Sequence, residues 1–251
     1  MAFIGIDLGT TFSAVATIDK TGRPVIIHNS EGENITPSCV TEIEDGIFEV
    51  GEYARKTWGN APDEAAARFK RNMGSKNGFA VKSKSLTPTE LSALVIQKLV
   101  QDAKREVGDI HEAVITVPAN FANDARDATM AAAKSVNLNV KYIINEPTAA
   151  ALYYAFKNGE DLHGNYAVYD LGGGTFDVSI IHVDGQDIEV LASNGVSKLG
   201  GDDFDKSLRD IVFKRYKDLT GEDLEDDDFT INDAEDEKKS LSKRKKITVK
   251  V

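Results

Sequence analysis

Cysteine is nearly missing from this sequence. Cys39 stands alone among 251 residues, so no disulfide can form within the chain, and a reducing compartment is expected. A thiol nucleophile or sensor is one reading of Cys39; a semi-buried structural residue is the plainer one. Long apolar runs are missing too. None approaches the roughly 18 residues of a membrane span. The start, Met-Ala-Phe-Ile-Gly-Ile-Asp, lacks the basic stretch of a secretory leader and reads as a strand. Positive charge is in deficit: 30 Lys and Arg face 41 Asp and Glu, for a net charge of −11. That balance argues against non-specific binding to nucleic acid or to an anionic membrane. The remainder, 41% hydrophobic and 28% charged, fits a soluble chain forming one large domain or two lobes.

Apolar periodicity divides the chain. Residues 2–8, 12–18 and 24–28 read as a three-stranded meander, and 39–43 and 47–50 as weak strands. A helix is expected over 62–71, ending before Gly74. Thr87-Pro88-Thr89-Glu90 is a capping box with proline at the first helical position. Leu91, Leu94, Val95, Leu99, Ala103 and Val107 then give one apolar face, and Gly108 stops the helix. Ala113 to Val117 and Val140 to Ile144 read as buried strands, followed by helices over 124–136, capped by Asn123, and 148–157, started by Pro147. The polar stretch 158–165 marks a lobe boundary. Three more strands follow at 166–171, 176–183 and 187–193, then a helix over 204–219 with Phe204, Leu208, Ile211, Val212 and Leu219 on one side. Residues 222–237 hold ten acidic side chains and 238–250 hold seven basic ones. They read as a solvated loop, then the exposed faces of a helix and of a strand through Ile247, Val249 and Val251.

One pattern occurs twice. Residues 4–11 read Ile-Gly-Ile-Asp-Leu-Gly-Thr-Thr, and 168–175 read Val-Tyr-Asp-Leu-Gly-Gly-Gly-Thr. Each is an apolar strand ending in Asp-Leu-Gly, then small residues, then a second apolar run. Either turn alone is compatible with an ordinary β-hairpin. The repetition points to two half-domains facing one anionic ligand, a nucleotide phosphate chain with its metal. Glycine lets backbone approach a ligand, and amides in such turns cradle phosphate oxygens. Hydroxyls of Thr10, Thr11 and Thr175 add donors. Asp7 and Asp170 would repel phosphate unless Mg²⁺ and its waters lie between. No Gly-x-x-x-x-Gly-Lys-Ser/Thr occurs, and a strand rather than a helix follows each turn, which excludes a Walker A loop and a dinucleotide loop. Glu146 ends a buried strand at a helix start, and Asp177 lies just beyond the second turn. Lys70 is one of 30 basic residues, and pattern alone does not place it.

Five strings carry a resemblance: Ile4 to Thr11; Ala113-Val-Ile-Thr-Val-Pro-Ala119; Ile143-Ile-Asn-Glu-Pro-Thr-Ala-Ala-Ala151; Val168 to Ser179; and Leu199-Gly-Gly-Asp-Asp-Phe-Asp205. In this order they resemble the nucleotide-binding domain of the seventy-kilodalton heat-shock chaperones, DnaK-type. The resemblance implies an α/β protein of the actin-like ATPase (ribonuclease H-like) fold, holding ATP or ADP with Mg²⁺, and K⁺, between two lobes. By position, Asp7, Gly9, Thr10, Thr11 and Phe12 resemble the first phosphate loop. Asp170, Gly172, Gly173, Gly174 and Thr175 resemble the second, and Gly200 and Gly201 are further implied nucleotide-binding residues. Lys70 resembles the lysine that positions the attacking water, Glu146 the carboxylate that holds metal-bound water, and Asp177 the aspartate near that water and potassium. With Asp7 and Asp170, Glu146 makes the implied metal set, mostly through water. Pro118 and Arg126 resemble the pair that relays nucleotide state. Glu235, Lys238, Lys239 and Ser242 resemble the family helix that clasps the adenosine.

The implied organisation is a first lobe over 1–160 and a second over 161–251. The first has its core at 1–35 and 112–160 and a small subdomain at about 36–111. The second has its core at about 165–201 and the start of a small subdomain at about 202–251. Its later elements, the linker and the peptide-binding domain are expected to be missing, so the chain reads as an N-terminal fragment. Phe12 occupies a position that varies in the family. The stretch from Gly74 to Leu86 is short, as in Gram-positive members. The implied partners are a J-domain co-chaperone and a nucleotide-exchange factor, with unfolded peptide bound only through the missing domain. Sugar kinases share the two-turn logic but need an acceptor-binding carboxylate, for which no signature is present; a nucleotide-sensing scaffold without hydrolysis is the other alternative.

Overall fold

The computed structural model describes every residue except Met1, Glu160, Gln186 and Ser197. The chain opens as the meander its periodicity predicts, β1 (Ala2–Asp7), β2 (Phe12–Ile18) and β3 (Pro24–Ile26). The short β4 (Thr36–Pro37) pairs with Phe12 and Ser13 of β2. A side sheet follows in β5 (Cys39–Glu44) and β6 (Ile47–Val50), then α1 (Glu52–Asn60). The helix expected over 62–71 does not form. Ala65, Ala66 and Ala67 make β7 (Ala65–Ala67) against Thr41, Val40 and Cys39, and Phe69–Asn72 is one 3₁₀ turn. Alanine's helix propensity yields here to tertiary pairing. Arg68, in the left-handed region at φ 60°, breaks the chain between the two elements.

β8 (Phe79–Val81) and β9 (Lys84–Leu86) form a hairpin leading into α2 (Pro88–Val107). Its capping box is made: Thr87 Oγ1 accepts from the Glu90 amide, and the Glu90 carboxylate accepts from the Thr87 amide at 2.8 Å. Next come β10 (Ile110–Val117), α3 (Asn123–Ser135), β11 (Val140–Asn145) and α4 (Glu146–Asn158). Ala122 rather than Asn123 occupies the N-cap position of α3, with no side-chain cap bond. β11 is not a buried strand, because it lies at the sheet edge and Tyr142 stands exposed.

The central sheet runs β11-β10-β1-β2-β3. β10 lies parallel to both β1 and β11, so Asp7, Thr116 and Asn145 reach the same sheet end. Ligand sites of open α/β sheets sit at such carboxyl ends. Ile4 and Ile6 of β1, Leu8 just beyond it, Ile115 of β10, and Leu91, Val95, Ile96 and Leu99 of α2 fill the main core. Each such side chain contributes roughly 1.5–3 kcal/mol on burial.

A second antiparallel sheet holds β12 (His163–Leu171), β13 (Phe176–Asp184) and β14 (Asp187–Val196). Its register sets Asp170 opposite Asp177. Its core is small: Ala151, Leu162, Ile181 and Val183. α5 (Gly201–Thr220) and α6 (Ile231–Leu241) complete the order. The expected apolar side of α5 is only partly covered, with Phe204, Ile211 and Leu219 exposed. α6 begins inside the acidic run, where Thr230 and Asp233 form a second capping box. No strand forms over residues 247–251: alternation alone makes no strand without a partner to pair with. Cys39 is buried, and desolvation pushes its thiol up to about 12, which leaves it a structural residue.

Candidate functional site

The two Asp-Leu-Gly turns face each other across one cavity of about 670 Å³. Asp7, Gly9, Thr10, Thr11 and Phe12 of the first turn and Asp170, Gly172, Gly173 and Thr175 of the second line it, with Lys70 and Glu146. The first turn is braced from behind. The Gly9 amide donates to Ser13 Oγ at 3.1 Å, and Ser38 Oγ donates to the Gly9 carbonyl at 2.8 Å. A Cβ on Gly9 would run into the Phe12 carbonyl, and one on Gly173 into the Thr11 side chain. Both turns therefore require glycine at these points.

The second turn closes through the Gly172 amide and the Thr175 carbonyl at 2.9 Å. Behind it, the Gly201 and Asp202 amides at the start of α5 donate to the carbonyls of Gly172 and Gly173 at 3.0 and 2.7 Å. Gly200 packs so tightly there that a Cβ would collide with Gly172 and Gly173. Among the described residues, the amides of Thr10, Thr11, Gly173 and Gly174 make no hydrogen bond. Thr11 Oγ1 is buried without a partner. Unused donors of this kind fit phosphate oxygens.

Lys70, the residue pattern could not place, is 6% exposed, and its Nζ donates to Glu146 Oε1 at 2.7 Å. The 3₁₀ turn anchors it through Phe69, which is buried in the main core. An ammonium has three donors, and Glu146 is the only acceptor among the described residues that Lys70 engages. Desolvation holds the Glu146 carboxyl above the ordinary carboxylate range; Lys70 opposes this, and Asp7 and Asp170 add to it. Asp170 is raised by desolvation and by Asp7, and Asp177 by desolvation and by Asp170. This concentration of negative charge is what a divalent cation would offset. Asp7, Asp170 and Glu146 line the same cavity, and their hard carboxylate oxygens suit a divalent cation such as Mg²⁺.

Several partners escaped the sequence reading. Thr116 Oγ1 donates to Asp7 Oδ1 at 2.8 Å, and Asn120 Nδ2 to Asp177 Oδ1 at 2.9 Å. Arg71 donates to the Gly174 carbonyl, and Arg68 pairs with Asp202 at 2.6 Å. Thr116 was within reach of pattern, since a strand parallel to β1 must end beside Asp7. Arg126 lies where Pro118 and the chain after it can be gripped: it donates to the carbonyls of Phe121 and Ala119 at 3.2 and 3.3 Å, and to Asn145 Oδ1 at 2.8 Å.

The four residues carried over as an adenosine clasp are not brought to the large cavity. Glu235 pairs with Arg55 of α1 and with Lys239 at 2.8 Å, and its carboxyl is held below the ordinary range by those two cations against desolvation. Lys238 pairs with Asp205 at 2.7 Å and donates to the Gly201 carbonyl at 2.8 Å. Ser242 is exposed at the end of α6. Lys239 Nζ lies 5.7 Å from the centre of the Phe12 ring at the cavity's edge, and Glu235 lines a smaller pocket together with Thr10 and Thr11.

Two sheets with paired aspartate-ended turns around one cleft define a mixed α/β protein of the actin-like ATPase fold class. Comparison with sequence models of protein families matches residues 3–81 and 76–251 to the family described as Hsp70 protein. The chain belongs to that family. Its family's domain is a chaperone ATPase nucleotide-binding domain, which takes ATP or ADP with Mg²⁺ and generally works with J-domain co-chaperones and exchange factors. No helix among the described residues is long and apolar enough to cross a membrane.

Proposed function

We propose that this chain binds ATP·Mg²⁺ in the cleft between the two turns and hydrolyses it, as the nucleotide-binding domain of a DnaK-type chaperone. The observation that carries the reading is one cavity lined by both turns and by the paired Lys70 and Glu146. The proposed lobes divide at residues 160 and 161, each supplying one turn. The unused amides of Thr10, Thr11, Gly173 and Gly174 hold phosphate oxygens. Asp7, Asp170 and Glu146 would hold Mg²⁺, mostly through water, and the ion would supply charge neutralisation for the phosphates.

Water attacks the γ-phosphorus, and the bond from that phosphorus to the β,γ-bridging oxygen breaks. ADP leaves with the electron pair, and a proton is released. Phosphoryl transfer of this type rests on positioning and fixed charge. Lys70 places its ammonium beside the γ-phosphate, and the Glu146 carboxylate keeps it there. Asp177 accepts from the water. Thr116 fixes Asp7 through the hydroxyl bond to Oδ1. Cytoplasmic location, K⁺ beside Asp177, and the Pro118 and Arg126 relay toward a peptide-binding domain belong to the same proposal.

Single-turnover hydrolysis of γ-labelled ATP tests it. Lys70→Ala is expected to lower the rate at least a hundredfold while nucleotide still binds. Saturable binding with no hydrolysis above background in the wild-type chain would favour a nucleotide-sensing scaffold instead.

A further inference from the structure

Asn120 is the one side chain from the segment after β10 that reaches across to the second sheet's carboxylate Asp177. Its Nδ2 donates to Asp177 Oδ1 at 2.9 Å. Among the described residues this is the only side-chain hydrogen bond that either partner makes. The same oxygen, Asp177 Oδ1, also lies close to Gly195 in β14, where any Cβ would collide with it. Both contacts fall on Oδ1, and among the described residues Oδ2 makes no hydrogen bond.

The amide itself is firmly carried. The Phe121 amide donates to the Pro118 carbonyl at 3.1 Å, which closes a turn around Asn120. Arg126 grips that turn through the carbonyls of Ala119 and Phe121, and ties it to Asn145 at the start of α4. Phe121 also stacks under Lys70, with Nζ 5.7 Å from the ring centre. The segment that presents Asn120 therefore also contacts the lysine that lines the cavity.

We propose that Asn120 is a positioning residue for Asp177, holding one carboxylate oxygen so that the other is aimed at the attacking water. This rests on the hydrolytic reading above. A neutral donor suits that role, because it orients a carboxylate through a charge-assisted bond without cancelling the charge that must accept from water. A lysine or arginine at this place would pair with Asp177 and quench it. The bond spans the two sheets, so the orientation of Asp177 depends on where the Pro118–Phe121 turn sits.

The test uses the whole 251-residue chain, with Asn120→Ala and the near-isosteric Asn120→Asp, which sets a carboxylate against Asp177. Single-turnover rate, dissociation constant for MgADP and melting temperature are measured for each. The expected result is a rate about tenfold lower for Asn120→Ala and lower still for Asn120→Asp. The MgADP constant should stay within about twofold, and Asn120→Ala should melt as the wild type does. In the Asp177→Asn background, Asn120→Ala should slow the reaction no further.

Unchanged rates, or a rate loss matched by equal losses of affinity and stability, would overturn the positioning role. If wild-type and Lys70→Ala chains are equally inactive, the hydrolytic reading fails, and the contact is judged separately. The Asn120 side-chain amide proton resonances in the nucleotide-free chain should move on Asp177→Asn, and unmoved resonances would overturn the contact itself.

Discussion

Replacing Lys70 with methionine keeps the length of the side chain and removes its charge, leaving Glu146 without its partner at 2.7 Å. At an effective dielectric of about 20, that separation corresponds to roughly 6 kcal/mol of attraction. The two side chains are 7% and 18% exposed, and stranding one member of such a pair typically costs about 3–5 kcal/mol. Glu146 has an escape, which is to take up a proton. From an ordinary glutamate value of about 4.3, protonation at pH 7 costs at most 1.36 kcal/mol for each of about 2.7 units, or roughly 3.7 kcal/mol. At pH 5 the same ceiling is only about 1 kcal/mol.

The sign follows from the direction of the shift. Burial, Asp7 and Asp170 all push Glu146 up, and only Lys70 pulls it down. In Lys70→Met the folded state therefore holds the proton more tightly than the unfolded chain does. The penalty is largest above the raised value and fades as pH falls through it. Urea unfolding of the nucleotide-free chain should show a loss of about 2–3.5 kcal/mol at pH 7 and under about 1 kcal/mol at pH 5. Melting temperature at pH 7 should fall by roughly 4–14 °C for a chain of this size. Adding Glu146→Gln should restore most of the loss, because no charge is then stranded. An equal loss at both pH values, or a double variant no more stable than Lys70→Met, would refute the buried-pair reasoning.

Other changes have defined outcomes. Gly9→Ala and Gly173→Ala each insert a Cβ into occupied space and should cost about 1–3 kcal/mol in denaturant titrations. Thr87→Ala breaks the α2 capping box and should lower stability by about 0.5–2 kcal/mol. Asp170→Asn removes a carboxyl that desolvation and Asp7 hold above its ordinary range; in the nucleotide-free chain it should melt higher than wild type at pH 7, with the gain shrinking as the pH is lowered. Native-state hydrogen exchange should find the slowest amides in β1, β10 and α2 around the main core. β12 to β14, over only four buried residues, should open at lower free energy.

Much of the fold was legible because the relevant signals are local. The α2 capping box and apolar stripe, the meander at the start and the three later strands all form about where periodicity sets them. The misses have non-local causes. Residues 65–67 have helix-forming alanines, yet β5 offers them a partner edge. Residues 247–251 alternate like a strand but meet no edge.

At the site, the repeated turns announced a shared ligand, and the cavity does bring them together. What the sequence could not disclose was which of 30 basic residues would be buried against the cavity. The burial of Phe69 decides that for Lys70. Asn120 was equally silent, since an asparagine after a strand looks like any turn residue until the opposite sheet is in place. The charged residues of α6 illustrate the converse: their order along the helix is visible, but their pairing with Arg55 and Asp205 depends on elements far away in sequence.

Calorimetric titration with Mg²⁺ and ATP or ADP tests most directly whether the two turns hold one nucleotide. One saturable site is predicted for the wild-type chain, with Gly9→Ala and Gly173→Ala, changes in opposite turns, each weakening it at least tenfold. Absence of saturable binding, or two glycine variants that bind as wild type does, would contradict it.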